Sequence, residues 1–449
     1  MTSPVTPDLL TNFARLIPPE WFAARLPARG PGSRRGIYSW AVVTWLMVVQ
    51  RIHPKGTLHA ALEHLFAEWP TPLLTPCKRV RERRISRHAG GYCQARQKMP
   101  TVIVNQVSDL ILAKLQAALP DRSPHCSRPM YLLDGSSLEL EHTADFVAAY
   151  PPARNQFGRS HWPILKIAVM HNLANGLALR PAWGPMYGPN AVSEQALAEA
   201  LLERLPPESM VVGDRNFGVF STAFAAHQRG HGVVLRLTES RFLRLSGAPG
   251  FCGQDLAITW SATRFDRRNH PHLPDGSRIE GRLLVAQLRL AKQNELIYLF
   301  TTLDLPAPPV LEIYGDRWNI ETDLRSLKST IHLQQLKSRS TAMMEKEFVM
   351  AVTAYNLVRA VMGWAAEHAG AAPRSLSFSQ VQNVVDATLP TLVAAGTPED
   401  YAVAFQHMIQ RACAYCRLPN RSRQRSFPRL VWGRNHRTFP NRPPLPPQN

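Results

Sequence analysis

Three carboxylates sit where phosphoryl-transfer chemistry could use them. Asp134 follows the apolar run Tyr131-Leu132-Leu133, Asp214 follows Val211-Val212-Gly213, and Glu321 lies within the segment Ile313 to Lys328. An acid closing a buried strand is costly unless it is paired or bound to metal, although strand-end acids are also ordinary turn starters. As a set, the three offer hard oxygen ligands suited to Mg²⁺ or Mn²⁺. Two such ions held about 3.5–4 Å apart can activate an attacking oxygen and stabilise a leaving one in an in-line displacement at phosphorus. The expected metal ligands are therefore Asp134, Asp214 and Glu321.

Glu321 is singled out by helical geometry. At about 100° per residue, Tyr314, Arg317, Glu321 and Lys328 share a stripe roughly 60° wide. Ile313, Ile320, Leu324, Leu327 and Ile331 form the adjoining apolar face, while Glu312, Asp316 and Asp323 are expected on the opposite side, in water. Arg317 and Lys328 then become candidate phosphate contacts, as does Arg215, directly after Asp214. Taken alone, Arg317 and Glu321 are equally an i, i+4 surface pair worth a few tenths of a kcal/mol.

Positioning these acids requires a sheet edge and a helix crossing it. Short strands are predicted at Met130–Leu133, Ile164–His171 and Leu177–Trp183, the last two flanking Asn175-Gly176, a two-residue hairpin signal. A helix at Ala191–Leu205, a strand at Met210–Val212, a helix at Val219–Gln228 and a strand at Val233–Leu237 complete an αβ alternation. This is an α/β class pattern, a mixed sheet covered by helices. Residues of about 240–302 break the alternation with strand-like runs, clearest at Leu283–Leu290 and Leu296–Thr301, and are read as a β-rich insertion. The domain plan is a helical region 1–125, a catalytic domain 126–366, and a C-terminal region 367–449. Helices are expected at Trp40–Gln50, Leu58–Trp69 and Thr101–Leu119, and again from Met343 to Ala366.

Charge points to the partner. Lys and Arg number 52 against 33 Asp and Glu, a net charge of +19 in 449 residues. Nucleic acid is the default partner for such an excess, because each neutralised phosphate releases counterions. Lys78 to Arg87 holds six basic residues and one acid, and the tail after Arg417 is rich in arginine, with seven prolines and no acid. A membrane partner is disfavoured. Ala41–Val49 is far shorter than the roughly 20 apolar residues a span needs, and Asn356 and Arg359 interrupt Phe348–Ala366. The N-terminus lacks the pattern of a secretory signal, so the cytoplasm is the expected compartment. Cys413 and Cys416 form a CxxC with neither a second such pair nor paired histidines, which makes a helical pair the stronger reading over zinc.

The spacing Tyr314-x2-Arg317-x3-Glu321-x6-Lys328 resembles the signature of bacterial DDE transposases of insertion-sequence family four. Leu133-Asp134-Gly135-Ser136 looks like that family's first-aspartate segment, Gly213-Asp214-Arg215-Asn216-Phe217 like its second, and Gly91-Tyr92-Cys93-Gln94-Ala95-Arg96 like a segment of its N-terminal region. The likeness spans roughly residues 35 to 440 and implies a ribonuclease-H-like fold with a β insertion between the second aspartate and the glutamate. It also implies binding of double-stranded inverted-repeat ends, nicking by water, and joining of 3′ ends to target DNA. A dimer on DNA is expected, since two ends must be paired. Tyr314 would position phosphate rather than attack it. Well-studied members excise through a DNA hairpin and stack a flipped base on an insertion tryptophan. Leu296–Thr301 holds no tryptophan, and Tyr298 is the weak substitute. The alternatives are a nuclease of the same fold that does not join, and a DNA-binding descendant without chemistry.

Overall fold

The computed structural model describes residues 17, 19–25, 37–68, 74, 78–119, 127–156, 158–289, 294–331, 333, 336, 338–395 and 397–418. The arginine-rich tail beyond Leu418 lies outside these residues. Before the first strand, besides the short helices Pro19–Ala23 and Lys78–Arg81, come α1 (Trp40–Ile52), α2 (Leu58–Glu68), α3 (Gly90–Lys98) and α4 (Thr101–Ala118). Nine strands follow, β1 (Met130–Glu139), β2 (Pro152–Asn155), β3 (Gly158–Asn172), β4 (Ala182–Pro185), β5 (Met210–Gly213), β6 (Gly232–Leu237), β7 (Asp255–Ser261), β8 (Arg278–Arg289) and β9 (Asn294–Thr301). Helix α5 (Glu194–Leu202) precedes β5, α6 (Phe220–Gln228) joins β5 to β6, and α7 (Glu239–Ser246) leads towards β7. The chain then runs through α8 (Ala307–Gly315), α9 (Asn319–Arg325), α10 (Thr341–His368), α11 (Phe378–Ala394) and α12 (Pro398–Tyr415).

The strands form one mixed sheet in the order β2-β3-β1-β5-β6-β9-β8-β7, with β4 also on β3. Strand β3 is antiparallel to both β1 and β4, whereas β1, β5 and β6 run parallel. Three antiparallel strands followed by two parallel ones is the ribonuclease-H-like sheet anticipated above. Met130–Leu133 and all of β5 are buried, as parallel strands covered on both faces must be. The predicted hairpin is present, but its turn is longer than two residues. The Asn172 N–H donates to the Leu177 carbonyl across it, and Gly176 takes φ +76°, a left-handed conformation that glycine adopts without steric cost.

The β-rich insertion lies between Asp214 and Glu321, where it was expected, and it is continuous with the main sheet. Strand β9 pairs antiparallel with β6, β8 with β9, and β7 with β8, so these strands widen the main sheet. Tyr298 and Trp260 are consequently core residues, packed on Phe242 and Phe300 respectively, and neither offers an exposed stacking face.

Helix α10 is the axis of the helical layer. Residues Met343 and Met344, and Lys346 through Ala366, are buried, and α10 packs against α1, α4, α11 and α12. It is long and apolar enough to cross a membrane, yet its apolar window is wholly buried in the protein. The polar residues that interrupt it are used internally: Asn356 caps both the N–H and the carbonyl of Ala178. The segment around Tyr92 to Arg96 serves the same layer. The Arg96 guanidinium donates to Glu347 at 2.9 Å, Arg51 donates to the other Glu347 oxygen at 2.8 Å, and the Tyr92 hydroxyl reaches Gln50. That motif therefore joins the N-terminal helices to α10. Residues up to Arg417 belong to one compact unit.

Candidate functional site

Strand register brings the two aspartates together. The parallel ladder between β1 and β5 ends at Leu133 opposite Gly213, so Asp134 and Asp214 are the next residues on adjacent strands at the same carboxyl edge. β1 is also where the sheet changes from antiparallel to parallel neighbours, the kind of switch point at which open α/β sheets place their ligands. Asp134 is partly buried, and the Gly135 N–H donates to its Oδ1 at 2.8 Å. Burial pushes its carboxyl up to about 6; the Gly135 hydrogen bond opposes this, Asp214 adds to it, and Arg317 offsets part of it. Asp214 opens a tight turn, with its Oδ1 accepting from the Asn216 N–H at 2.9 Å and its carbonyl from Phe217 and Gly218. Arg215 projects, exposed, from that turn.

The segment carrying Glu321 is helical but irregular. Helix α8 passes through a 3₁₀ turn at Asp316–Trp318 into α9, and the chain then widens into a π turn at Ser326–Thr330. The apolar face is as expected, with Ile313, Ile320, Leu324, Leu327 and Ile331 all buried. α9 lies against β1. Glu321 is half exposed, and its carboxylate is 3.9 Å from Arg317. Arg317, itself buried, thus pairs with Glu321, and its charge also lowers the Asp134 carboxyl. Lys328 donates to the Ser136 hydroxyl at 3.0 Å and the Ser137 carbonyl at 3.1 Å, tying the π turn to β1 just beyond Asp134. Tyr314 is buried at a cleft of about 210 Å³, together with Arg236, Arg317 and Trp318. Among the described residues, neither the Tyr314 hydroxyl nor the Arg317 Nε has a well-formed hydrogen bond.

Asp323 corrects the expectation of a solvent-facing acid. It is 0% exposed and is gripped by Arg359 of α10 and by Arg374, the latter at 2.8 Å. Arg374 also donates to the carbonyls of Asn172 and Leu173 at the end of β3. Asp323 sits within the regular α9 on the flank of the apolar face, and Arg359 and Arg374 supply the counter-charge that lets it be buried there. Glu312 is exposed as expected, and Asp316 is half-buried.

One acid near the aspartates is absent from the sequence reading. Glu194 begins α5, and a Cβ built on Gly135 would fall 2.2 Å from its Cδ. Burial raises its carboxyl, with Lys166 opposing and Asp214 adding. The only sequence signal was the glycine directly after Asp134.

The donor set fits divalent metal. Asp134, Asp214 and Glu194 place negative charge together in a partly buried position, a burden that a cation would relieve. Oxygen-only donors suit Mg²⁺ or Mn²⁺ rather than a thiolate metal. Among the described residues, the three-ligand groups whose atoms lie within 4.8 Å of one another are His53, His64 and Asp386, and Glu199, His270 and His272. Asp134, Asp214 and Glu321 are looser than that, as acids flanking two ions rather than converging on one can be. Each of the two histidine groups contains an ordinary His–carboxylate pair, at 3.7 Å and 4.0 Å. Cys413 donates its thiol to the Ala365 carbonyl, and Cys416 caps α12, so the CxxC is a helical pair; His436 lies outside the described residues.

Comparison with known proteins bears on the family. A family model described as a transposase DDE domain matches residues 126–357. The transposase InsG for insertion sequence element IS4 of Escherichia coli (strain K12) is 24% identical over 438 residues, covering 94% of this chain and 92% of that protein. A solved piggyBac transposase synaptic complex with hairpin DNA overlaps 94% of this chain and 84% of that chain at 11% identity, with a TM-score of 0.41.

Proposed function

This chain belongs to the DDE transposase family, and we propose that it nicks the inverted-repeat ends of its own element and joins the freed 3′ ends to target DNA. The observation that carries the reading is the β1–β5 register, which sets Asp134 beside Asp214, with Arg317 paired to Glu321 and its charge felt at Asp134. Asp134, Asp214 and Glu321 would hold the divalent ions. When bound, those ions supply activation of the attacking oxygen and charge stabilisation at the leaving one.

The chain's own residues do the rest. Arg317 and Lys328 bring fixed positive charge to the DNA strand as it enters, and guanidinium groups suit phosphate oxygens. The Tyr314 hydroxyl lies beside the Arg317 and Arg236 guanidiniums, and together these groups would orient a phosphate at the cleft. Arg215 would extend the contact along the backbone. Water is the first nucleophile and a DNA 3′-hydroxyl the second, so no tyrosine–DNA bond forms. Pairing two ends implies a dimer on DNA, working with the chromosome in the cytoplasm.

The test is incubation of purified protein with DNA carrying the ends that flank its gene, with Mg²⁺ or Mn²⁺, alongside Glu321→Ala. End-specific nicks and joined products that vanish in the variant are expected. Cutting of every duplex without joining would overturn the reading in favour of a nuclease. Binding without nicking would overturn it in favour of a non-catalytic descendant.

A further inference from the structure

We propose that Glu194 is a positioning residue for the two aspartates, spanning the gap between the Asp134 strand and the Asp214 turn and holding them at a set spacing. This rests on the reading of Asp134 and Asp214 as acids of the site. The backbone ladder between β1 and β5 stops at Leu133 and Gly213, one residue short of both aspartates. Beyond that point the two strands no longer pair with each other: Asp134 continues in the β1–β3 ladder and Asp214 enters its own turn, so a side chain that meets both can tie one acid to the other.

Glu194 reaches both. On the Asp134 side its carboxyl occupies the volume that a side chain at position 135 would need, since a Cβ there would lie 2.2 Å from Cδ and 2.4 and 2.5 Å from the two oxygens. Gly135 has ordinary extended backbone and is not among the positive-φ glycines. Its lack of a side chain therefore answers to the carboxylate rather than to a turn. On the Asp214 side, the Asn216 Nδ2 donates to the Glu194 Oε2, while the Asn216 backbone N–H donates to the Asp214 Oδ1 at 2.9 Å. The neighbouring Gln195 donates its Nε2 to the Asn216 carbonyl at 2.7 Å and to its Oδ1 at 2.9 Å. Both ends of the Asn216 amide are thus engaged by consecutive residues of α5, which fixes its orientation. Ser193 caps α5 by accepting from the Ala196 N–H, so the first turn that presents Glu194 is itself held.

Partners that orient ligating carboxylates commonly change metal affinity or activity by about 10–100-fold when lost. The test uses the full chain with Glu194→Ala, Glu194→Gln and Asp214→Ala. It measures the nicking rate on element ends, Mn²⁺ binding by electron paramagnetic resonance, end affinity by anisotropy, and thermal melting as a control on folding. Glu194→Ala should slow nicking by about 10–100-fold and weaken Mn²⁺ binding several-fold, with end affinity within about threefold of wild type. Glu194→Gln keeps an acceptor for Asn216 and should restore most of both. Gly135→Ala should resemble Glu194→Ala, and combining the two should add little, because the added methyl then meets no carboxylate.

Wild-type nicking and Mn²⁺ binding in Glu194→Ala would overturn the proposal. So would Glu194→Gln as impaired as Glu194→Ala, which would make Glu194 a direct ligand, or fully multiplicative losses in the double variant. Nicking that survives in Asp214→Ala would instead overturn the reading of the aspartates, whatever Glu194 does.

Discussion

Replacing Asp323 with Asn keeps the side-chain shape and removes one charge from a site with 0% exposure. Two guanidiniums, Arg359 and Arg374, then lose their shared counter-ion. Breaking a buried pair by removing one partner costs about 3–5 kcal/mol, against a total stability of about 5–15 kcal/mol for a typical protein. The folded fraction should survive at low temperature, with a clearly lowered urea midpoint. Glu321 is two residues away on the same short helix, and a displacement of about 1 Å at a reacting group can cost about 100-fold in rate. Nicking should therefore fall more than end binding does. Burial alone would raise the Asp323 carboxyl, but Arg359, Arg374 and His171 outweigh it and hold it below the usual range. Its stabilising contribution is thus fully present above the ordinary aspartate pKa and is lost as pH falls through the depressed value. The wild type and the variant should differ by a constant amount near neutrality and converge only in strong acid. Urea unfolding followed by fluorescence from pH 3 to 8, with nicking assayed in parallel, measures both effects. A variant with the wild-type midpoint and wild-type nicking would refute the anchoring role.

Asp134 gives the opposite pH sign. Its folded pKa is raised to about 6, so ionising it costs stability as pH rises from the unfolded value towards that point, on the order of 1–3 kcal/mol by neutral pH. Asp134→Asn should then melt higher than wild type at pH 7.5 without metal. Thermal stabilisation of the wild type by Mn²⁺ should be larger at pH 7.5 than at pH 5, because proton and metal compete for the same oxygens; equal stabilisation at both would count against a ligand role. Lys328→Ala should weaken end binding and reduce the salt slope by about one, as loss of a single phosphate contact does; an unchanged slope in a salt titration would leave Lys328 as a brace to Ser136 alone. Glu347→Gln should destabilise by about 3–5 kcal/mol by removing the buried negative charge that Arg51 and Arg96 share, with the salt slope of DNA binding unchanged; a changed slope would instead make the Tyr92–Arg96 segment part of the DNA surface.

The sequence alone determined the alternation of strands and helices, because periodicity and turn chemistry are local. It also marked Asp134, Asp214 and Glu321, since acids after apolar runs and the Tyr-Arg-Glu-Lys spacing are visible without a fold, although β1 runs on past Asp134 to Glu139 instead of ending there. That Asp134 and Asp214 are neighbours depends on which strands pair and in what register, and that is set by long-range packing between residues 80 positions apart. The burial of Asp323 could not be read from the helix alone, because its partners Arg359 and Arg374 lie 36 and 51 positions away and only the tertiary structure brings them to α9. The 240–302 region held the right strands, yet only the tertiary structure decided that they extend the main sheet, since the open edge of β6 leaves no local trace in the sequence. Glu194 is the clearest case. A glutamate in a helix's first turn is ordinary in sequence, and only the approach of α5 to Gly135 and Asn216 gives it a place beside the aspartates.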